Sequence, residues 1–240
     1  MHRRFVLLKR LPGTSKAQML AHWQHVHAPL VAGMEAFWRY TSRYVQNHAL
    51  DAEPPYVVEN PYDGVVETWQ RERPDPTTIF ADEPVYRDRV RPDELKFLDI
   101  AGCVAMLTRS HTIIDGPSQG LKLLSFVRRR PELTHEAFCD YWLNTHGPLV
   151  RGTTAFSRHL RRYVQSHCLP EMERRLSDGA PQGGFDGVVE LWFDSRADMK
   201  AAFSEPDYLT IIRPDEDRFV LKPSVRFLVA EVEIAAPQAA

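Results

Sequence analysis

Hydrophobic positions along the chain fall into short runs of strand length, separated by stretches of helical period. Residues 5–10 and 121–128 are apolar runs that end at turn-forming residues. After each, large side chains return every fourth position. Met19, Trp23 and His27 form one such series, and Phe138, Trp142 and His146 form the other. That spacing places each series on one face of a helix. Ser15 with Gln18 three positions later predicts a capping box, and Thr134 is the matching N-cap. Further strands are predicted at 44–48 and 163–167, at 64–69 and 187–193, and at 104–114 and 225–234. A second helical region is predicted at 86–98 and at 198–212. The order in each half is β-α-β-β-α-β, the ferredoxin-like split unit.

The two halves are copies of one another. His27-Ala28-Pro29-Leu30-Val31 returns as His146-Gly147-Pro148-Leu149-Val150. Arg43-Tyr44-Val45-Gln46-Asn47-His48 returns as Arg162-Tyr163-Val164-Gln165-Ser166-His167, and Asp63-Gly64-Val65-Val66-Glu67 as Asp186-Gly187-Val188-Val189-Glu190. Arg91-Pro92-Asp93-Glu94 meets Arg213-Pro214-Asp215-Glu216. The period is too long for a solenoid. A turn-rich stretch at 115–120 reads as the joint, giving domains at 1–115 and 120–240. The expected fold class is α+β. Each ferredoxin-like unit covers only one face of its sheet with helices, so the two units are expected to pair their bare faces within the chain as a pseudo-symmetric barrel. Further homodimerisation stays open. A glycine-rich stretch at 179–184 belongs to a longer loop of the second half alone and reads as an insertion, a candidate lid.

Composition narrows the function classes. Apolar residues make up 43% of the 240, which excludes a disordered chain. Thirty basic and 32 acidic residues give a net charge of −2, so nucleic acid held by broad electrostatics is not expected. No apolar run reaches the ~20 residues that span a bilayer, so no membrane partner is expected. The apolar stretch near the first residue is too short for a signal peptide. Cys103, Cys139 and Cys168 form no C-x-x-C pair, so neither a disulfide framework nor a zinc knuckle is expected, and the expected compartment is the cytoplasm. Glycine-rich phosphate loops and dinucleotide fingerprints are missing, and His22, His25 and His27 lack counterparts at the first two positions, where the second half has Tyr141 and Asn144. The sequence therefore predicts no cofactor and no metal.

Several residues could carry chemistry. His27 and His146 end the apolar helix face and admit two readings: a general acid or base, or an imidazole bonded to a backbone carbonyl at the helix–strand junction. Strand alternation puts Tyr44, Gln46 and His48 on one face, either lining a pocket or meeting the other sheet. Arg39, Arg43, Arg158 and Arg162 could receive a carboxylate or enolate, or form surface ion pairs. Glu67 and Glu190, in mid-strand, are expected to pair with an arginine or histidine if they face inward, or, as lone buried acids with raised pKa values, to serve as acids. Asp93 and Asp215 are expected to cap helices.

Taken together, H-x-P-L-V, R-Y-V-Q-x-H and D-G-V-V-E-x-W resemble the EthD family of the dimeric α+β barrel superfamily, over nearly the whole chain. The resemblance implies tandem EthD-like domains with a small-molecule pocket in each, between sheet and helices. It implies His27 and His146 as catalytic residues. Trp23, Trp142, Tyr44, Tyr163, His48, His167, Arg39 and Arg158 are then expected to bind substrate. The implied function is a cofactor-free enzyme of lyase or cyclase type, working by histidine acid–base chemistry on a hydrophobic aromatic or polyketide-like carbonyl compound. Dehydration, decarboxylation, cyclisation and isomerisation are all outcomes of that chemistry. The alternatives are a cofactor-free oxygenase of a phenolic substrate and a non-catalytic binding protein. Tyr141 and Asn144 mark the second pocket as a candidate for lost activity.

Overall fold

Eight strands form a single closed barrel in the computed structural model, which describes residues 2–51, 61–72, 78–170 and 184–236. Residues 179–183 of the expected lid lie outside the described residues. The first half supplies β1 (His2–Leu8), β2 (Thr41–Ala49), β3 (Gly64–Gln70) and β4 (Val104–Ile114). The second supplies β5 (Leu121–Arg129), β6 (Arg162–Cys168), β7 (Gly187–Phe193) and β8 (Val220–Ile234). Within the halves the spatial orders are β4-β1-β3-β2 and β6-β7-β5-β8, all antiparallel. Two seams, β2 with β8 and β4 with β6, join the halves edge to edge. The sheets therefore share an interior and also two strand boundaries.

Strand alternation divides the side chains between interior and exterior. On β1, Phe5 and Leu7 point inward and join Val65, Met106, Leu124, Phe126, Val188 and Phe227 in a core drawn from both halves. Arg4, Val6 and Leu8 point outward to the helices. The rest of the interior is charged. Arg3 Nη1 donates to Glu67 Oε1 at 2.6 Å, and its Nη2 pairs with Glu190 and donates to Ser166 Oγ at 2.7 Å. Lys122 Nζ lies 2.7 Å from Glu67 Oε2, 3.4 Å from Glu190 and 3.0 Å from Glu231. Both mid-strand glutamates thus face inward and are paired, with Lys122 as a second cation beside Arg3. Burial alone would raise the Glu67 carboxyl, but Lys122 and Arg3 hold it below its ordinary value.

Helices cover the outer faces. The capping box is present, with Gln18 N donating to Ser15 Oγ and Ser15 N to Gln18 Oε1, and it opens α1 (Lys16–His22). The chain continues through a π-helical turn (Trp23–His27) into α2 (Ala28–Ala32), then α3 (Glu35–Tyr40). Another π turn (Tyr86–Val90) leads into α4 (Arg91–Glu94). The second half matches: α5 (His135–Tyr141), capped by Thr134, a π turn (Trp142–His146), α6 (Gly147–Gly152) and α7 (Thr154–Ser157). Then come α8 (Arg196–Ser204), a π turn (Tyr208–Ile212) and α9 (Arg213–Phe219). Each of the π turns ends two residues before a proline: Pro29, Pro92, Pro148 or Pro214. Proline lacks an N–H and its ring crowds the carbonyl four residues back, and the wider turn accommodates both. No described helix is long and apolar enough to cross a membrane.

Candidate active site

A cavity lies between sheet and helices in each half. The first, about 1040 Å³, has Trp23, His27, Tyr44, Tyr86 and Phe97 among its lining. The second, about 650 Å³, is lined by the counterparts Trp142, His146, Tyr163, Tyr208 and Phe219.

The histidines are set by the π turns and by an acid from a distant helix. His27 Nδ1 lies 3.0 Å from Asp93 Oδ2, and His146 Nδ1 lies 2.8 Å from Asp215 Oδ2. Burial lowers the His27 pKa, and Asp93 only partly offsets it, so the imidazole is neutral at pH 7. Burial would raise the Asp93 carboxyl, but bonds from His27 and His22 keep it below its ordinary range; the His146 bond lowers Asp215 in the same way. A carboxylate only accepts, so Nδ1 carries the proton and the Nε2 lone pair is left for the cavity. Phe97 and Phe219 pack on the two imidazoles at 5.3 and 4.8 Å between ring centroids.

The strand face Tyr44-Gln46-His48 turns toward the helices. Gln46 Nε2 donates to the carbonyl of Trp23 at 3.0 Å and to the Tyr44 hydroxyl at 3.1 Å. Trp23 Nε1 also donates to that hydroxyl at 3.1 Å. Having accepted twice, the phenol retains its own proton as a donor. Burial pushes its pKa up to about 12, so it keeps that proton at neutral pH. Gln165 bonds to Trp142 and Tyr163 in the same pattern, and burial likewise raises the Tyr163 pKa.

Six of the ten expected site residues therefore line the cavities: His27, His146, Trp23, Trp142, Tyr44 and Tyr163. The other four do not. His48 stacks on Trp23 at 5.0 Å and His167 on Trp142 at 4.5 Å, and each donates through Nε2 to the side-chain amide oxygen of Gln46 or Gln165. Burial lowers their pKa values to about 4 and about 3, so both are neutral props behind the tryptophans. Arg39 and Arg158 lie on the surface, paired with Glu83 and Glu205. Arg43 and Arg162 also form ion pairs, with Glu233 and Asp115.

Asp93 and Asp215 correct the capping expectation, because neither makes a side-chain cap and both hold histidines instead. Their recurrence in R-P-D-E was visible, but the contact crosses 66 and 69 residues of sequence. The Tyr141 difference leaves the second dyad whole. Tyr141 donates to Asp215 Oδ1 at 2.6 Å, where His22 Nε2 meets Asp93 Oδ1 at 3.1 Å in the first half. His25 and Asn144 are both exposed.

An antiparallel barrel with outer helices, and a buried histidine–aspartate dyad facing a cavity in each half, define an α+β barrel with two candidate sites. The EthD domain model matches residues 11–101 and 130–223. The chain belongs to the EthD family. No curated protein matches it. Among solved structures, an anthrone oxidase-like protein has a TM-score of 0.61 and 11% identity, covering 100% of this chain and 95% of that one. A candidate monooxygenase from Lactobacillus acidophilus has a TM-score of 0.52 and 9% identity, covering 98% and 96%. One from Fusobacterium nucleatum has 0.51 and 7%, covering 98% and 92%. At these identities the likeness is one of fold.

Proposed function

We propose that the protein is an enzyme in which His27 and His146 act as general bases on a hydrophobic carbonyl compound, and that residues 1–115 and 120–240 are two ferredoxin-like units each holding one site. The observation that carries this reading is the His27–Asp93 bond. A neutral imidazole, fixed by a carboxylate on Nδ1 and beside a cavity, is suited to take a proton through Nε2. The Tyr44 phenol, with two hydrogen bonds already accepted, donates to the oxygen on which negative charge develops. The product of that step is an enolate or phenolate, and neither atom balance nor charge balance in it calls for a cofactor. Dehydration, cyclisation or isomerisation then follows from the enolate, whereas decarboxylation forms the same enolate by loss of CO2 and is completed by protonation at carbon.

A second reading takes the same anion to dioxygen. The monooxygenase and anthrone oxidase-like names of the structures with this fold favour it. Incubation of the purified protein with an extract of aromatic and polyketide-like metabolites, with and without oxygen, separates the two. Loss of ~18 mass units marks dehydration, loss of ~44 decarboxylation, and a changed retention time at constant mass isomerisation or cyclisation. A gain of ~14 only in oxygen, with one oxygen atom added, two hydrogens lost and water as the other product, or of ~32 when both oxygen atoms are kept, marks the oxygenase. His27→Gln with His146→Gln must abolish the change while the fold survives. Full turnover by that double variant refutes the base assignment.

A further inference from the structure

The halves repeat the dyad but not the sheet wall facing it. Thr41, Thr68 and Gln70 line the first cavity. The second half has Leu160, Leu191 and Phe193 at the matching positions. Strand register supports the match: Tyr44 lies opposite Thr68 and Thr41 opposite Gln70, while Tyr163 lies opposite Leu191. In D-G-V-V-E-x-W, Thr68 and Leu191 fill the variable position, and Gln70 and Phe193 follow the tryptophan. Leu160, Leu191 and Phe193 pack in one core cluster, where Phe193 meets Phe203 at 6.1 Å between ring centroids. Hydrocarbon thus fills on one side what the other keeps open, in line with 650 Å³ against 1040 Å³.

The open wall holds a hydrogen-bond donor beyond what the protein itself uses. Thr68 is buried, and a buried hydroxyl is unfavourable unless hydrogen-bonded. Gln70 Nε2 donates to Thr68 Oγ1 at 2.8 Å, and the threonine keeps its own proton. Turning the amide over would let Thr68 donate to its oxygen and leave the amide N–H groups for the cavity instead. In either orientation one donor of the pair is left over. Tyr44 holds another, on the strand position directly opposite, where side chains start about 5 Å apart. Tyr163 has only Leu191 opposite it. An apolar ligand flank against Thr68 and Gln70 would strand that donor, whereas an oxygen acceptor there would satisfy it.

We infer that Thr68 and Gln70 form a second polar contact for the ligand of the first cavity, which carries an oxygen acceptor flanking its carbonyl, and that the second cavity takes a ligand with a hydrocarbon flank. This rests on the reading of both cavities as ligand sites. Trp23 and Trp142 line the first and second cavities respectively, so they report on each separately. The test labels the full chain with 5-fluorotryptophan and assigns both resonances through Trp23→Phe and Trp142→Phe. It then titrates 2,3-diacetylnaphthalene against its isostere 2-acetyl-3-isopropylnaphthalene, in which hydrocarbon replaces the second carbonyl. The ratio of the monoketone dissociation constant to that of the diketone is expected to be about tenfold higher at Trp23 than at Trp142. Comparing ratios cancels the difference in hydrophobicity between the probes. Thr68→Val with Gln70→Met must bring the Trp23 ratio down to the Trp142 value, and Thr68→Ser must keep it. Thr68→Ala with Gln70→Ala takes the place of the first pair if that variant does not fold. Equal ratios at the two tryptophans, a difference that survives the double variant, or no binding of the diketone at Trp23 at about 1 mM overturns the inference. The readout is binding, not turnover. A protein with the expected ratios but no catalysis would contradict the base assignment alone, and one that turns over carbonyl compounds with equal ratios would contradict this inference alone.

Discussion

Asp93 Oδ2 sits 3.0 Å from Nδ1 of His27, so one carboxylate decides which ring nitrogen keeps the proton. Asp93→Asn can offer an amide N–H to Nδ1 and drive the proton to Nε2. Turnover is then expected to fall by ~10²–10⁴ with the fold intact. A substrate-free measurement reads the cause directly. The ¹⁵N shifts of His27 should show Nε2 unprotonated in the wild type at pH 7 and protonated in Asp93→Asn. The same tautomer in both proteins would remove the role given to Asp93.

Gly64 and Trp23 meet where β3 begins. A Cβ on Gly64 would stand 2.6 Å from Trp23 Cζ3, and Gly187 is crowded by Trp142 in the same way. Gly64→Ala and Gly187→Ala are each expected to destabilise by about 1–3 kcal/mol through overpacking. Urea midpoints measure this. Adding Trp23→Phe to Gly64→Ala should recover part of the loss, since the smaller ring frees the contested volume.

The barrel interior makes a sharper demand. Arg3→Met leaves Glu190 and Glu67 sharing Lys122 alone, and is expected to cost about 3–5 kcal/mol, as when one partner is removed from a buried pair. Because the folded Glu67 pKa lies below its ordinary value of 4.5, its stabilisation is present above that value and is lost as pH falls through the folded pKa. Wild-type unfolding free energies measured at falling pH should decline in that window, and Glu67→Gln should flatten the decline.

His135 titrates in the opposite sense. Its Nδ1 lies 3.2 Å from Asp186 Oδ1 and its Nε2 lies 3.4 Å from Cys139 Sγ. Asp186 and then Cys139 raise its pKa from 6.5 to about 10. The stabilisation is complete below pH ~6.5 and is lost as pH rises through about 10. An NMR titration should find the ring still protonated at pH ~8. A midpoint near 6.5 would show that the Asp186 contact does not form in solution.

The order of elements along the chain, and the grouping of Trp23 with His27 and of Tyr44 with Gln46 on single faces, were readable from period and repetition, because alternation and four-residue spacing act within one element; that these faces line a cavity was implied only by the family resemblance. What failed was what depends on meetings between elements. Asp93 opens a short helix and looks like a cap, and only the fold reveals His27 beside it. His48 shares a face with Tyr44, yet the Trp23 ring lies over it and keeps it from the cavity. Lys122 is a lysine in an otherwise apolar run, with nothing local to say that it points at two glutamates. The π turns left a trace in the recurring prolines, but the widening depends on carbonyls that no side-chain pattern shows.

The interior ion cluster has a consequence for how such a barrel can diverge. Two identical chains related by a twofold axis must place the same residue on both sides of it. A tandem chain is free of that constraint. Here Arg3 takes the position that Lys122 takes in the other half, and Asn47 the position of Ser166. Each half can therefore mutate against a fixed partner, and a change that would be lethal when doubled by symmetry occurs only once. The same freedom extends to the cavity walls, where one half can alter its ligand while the other preserves the barrel.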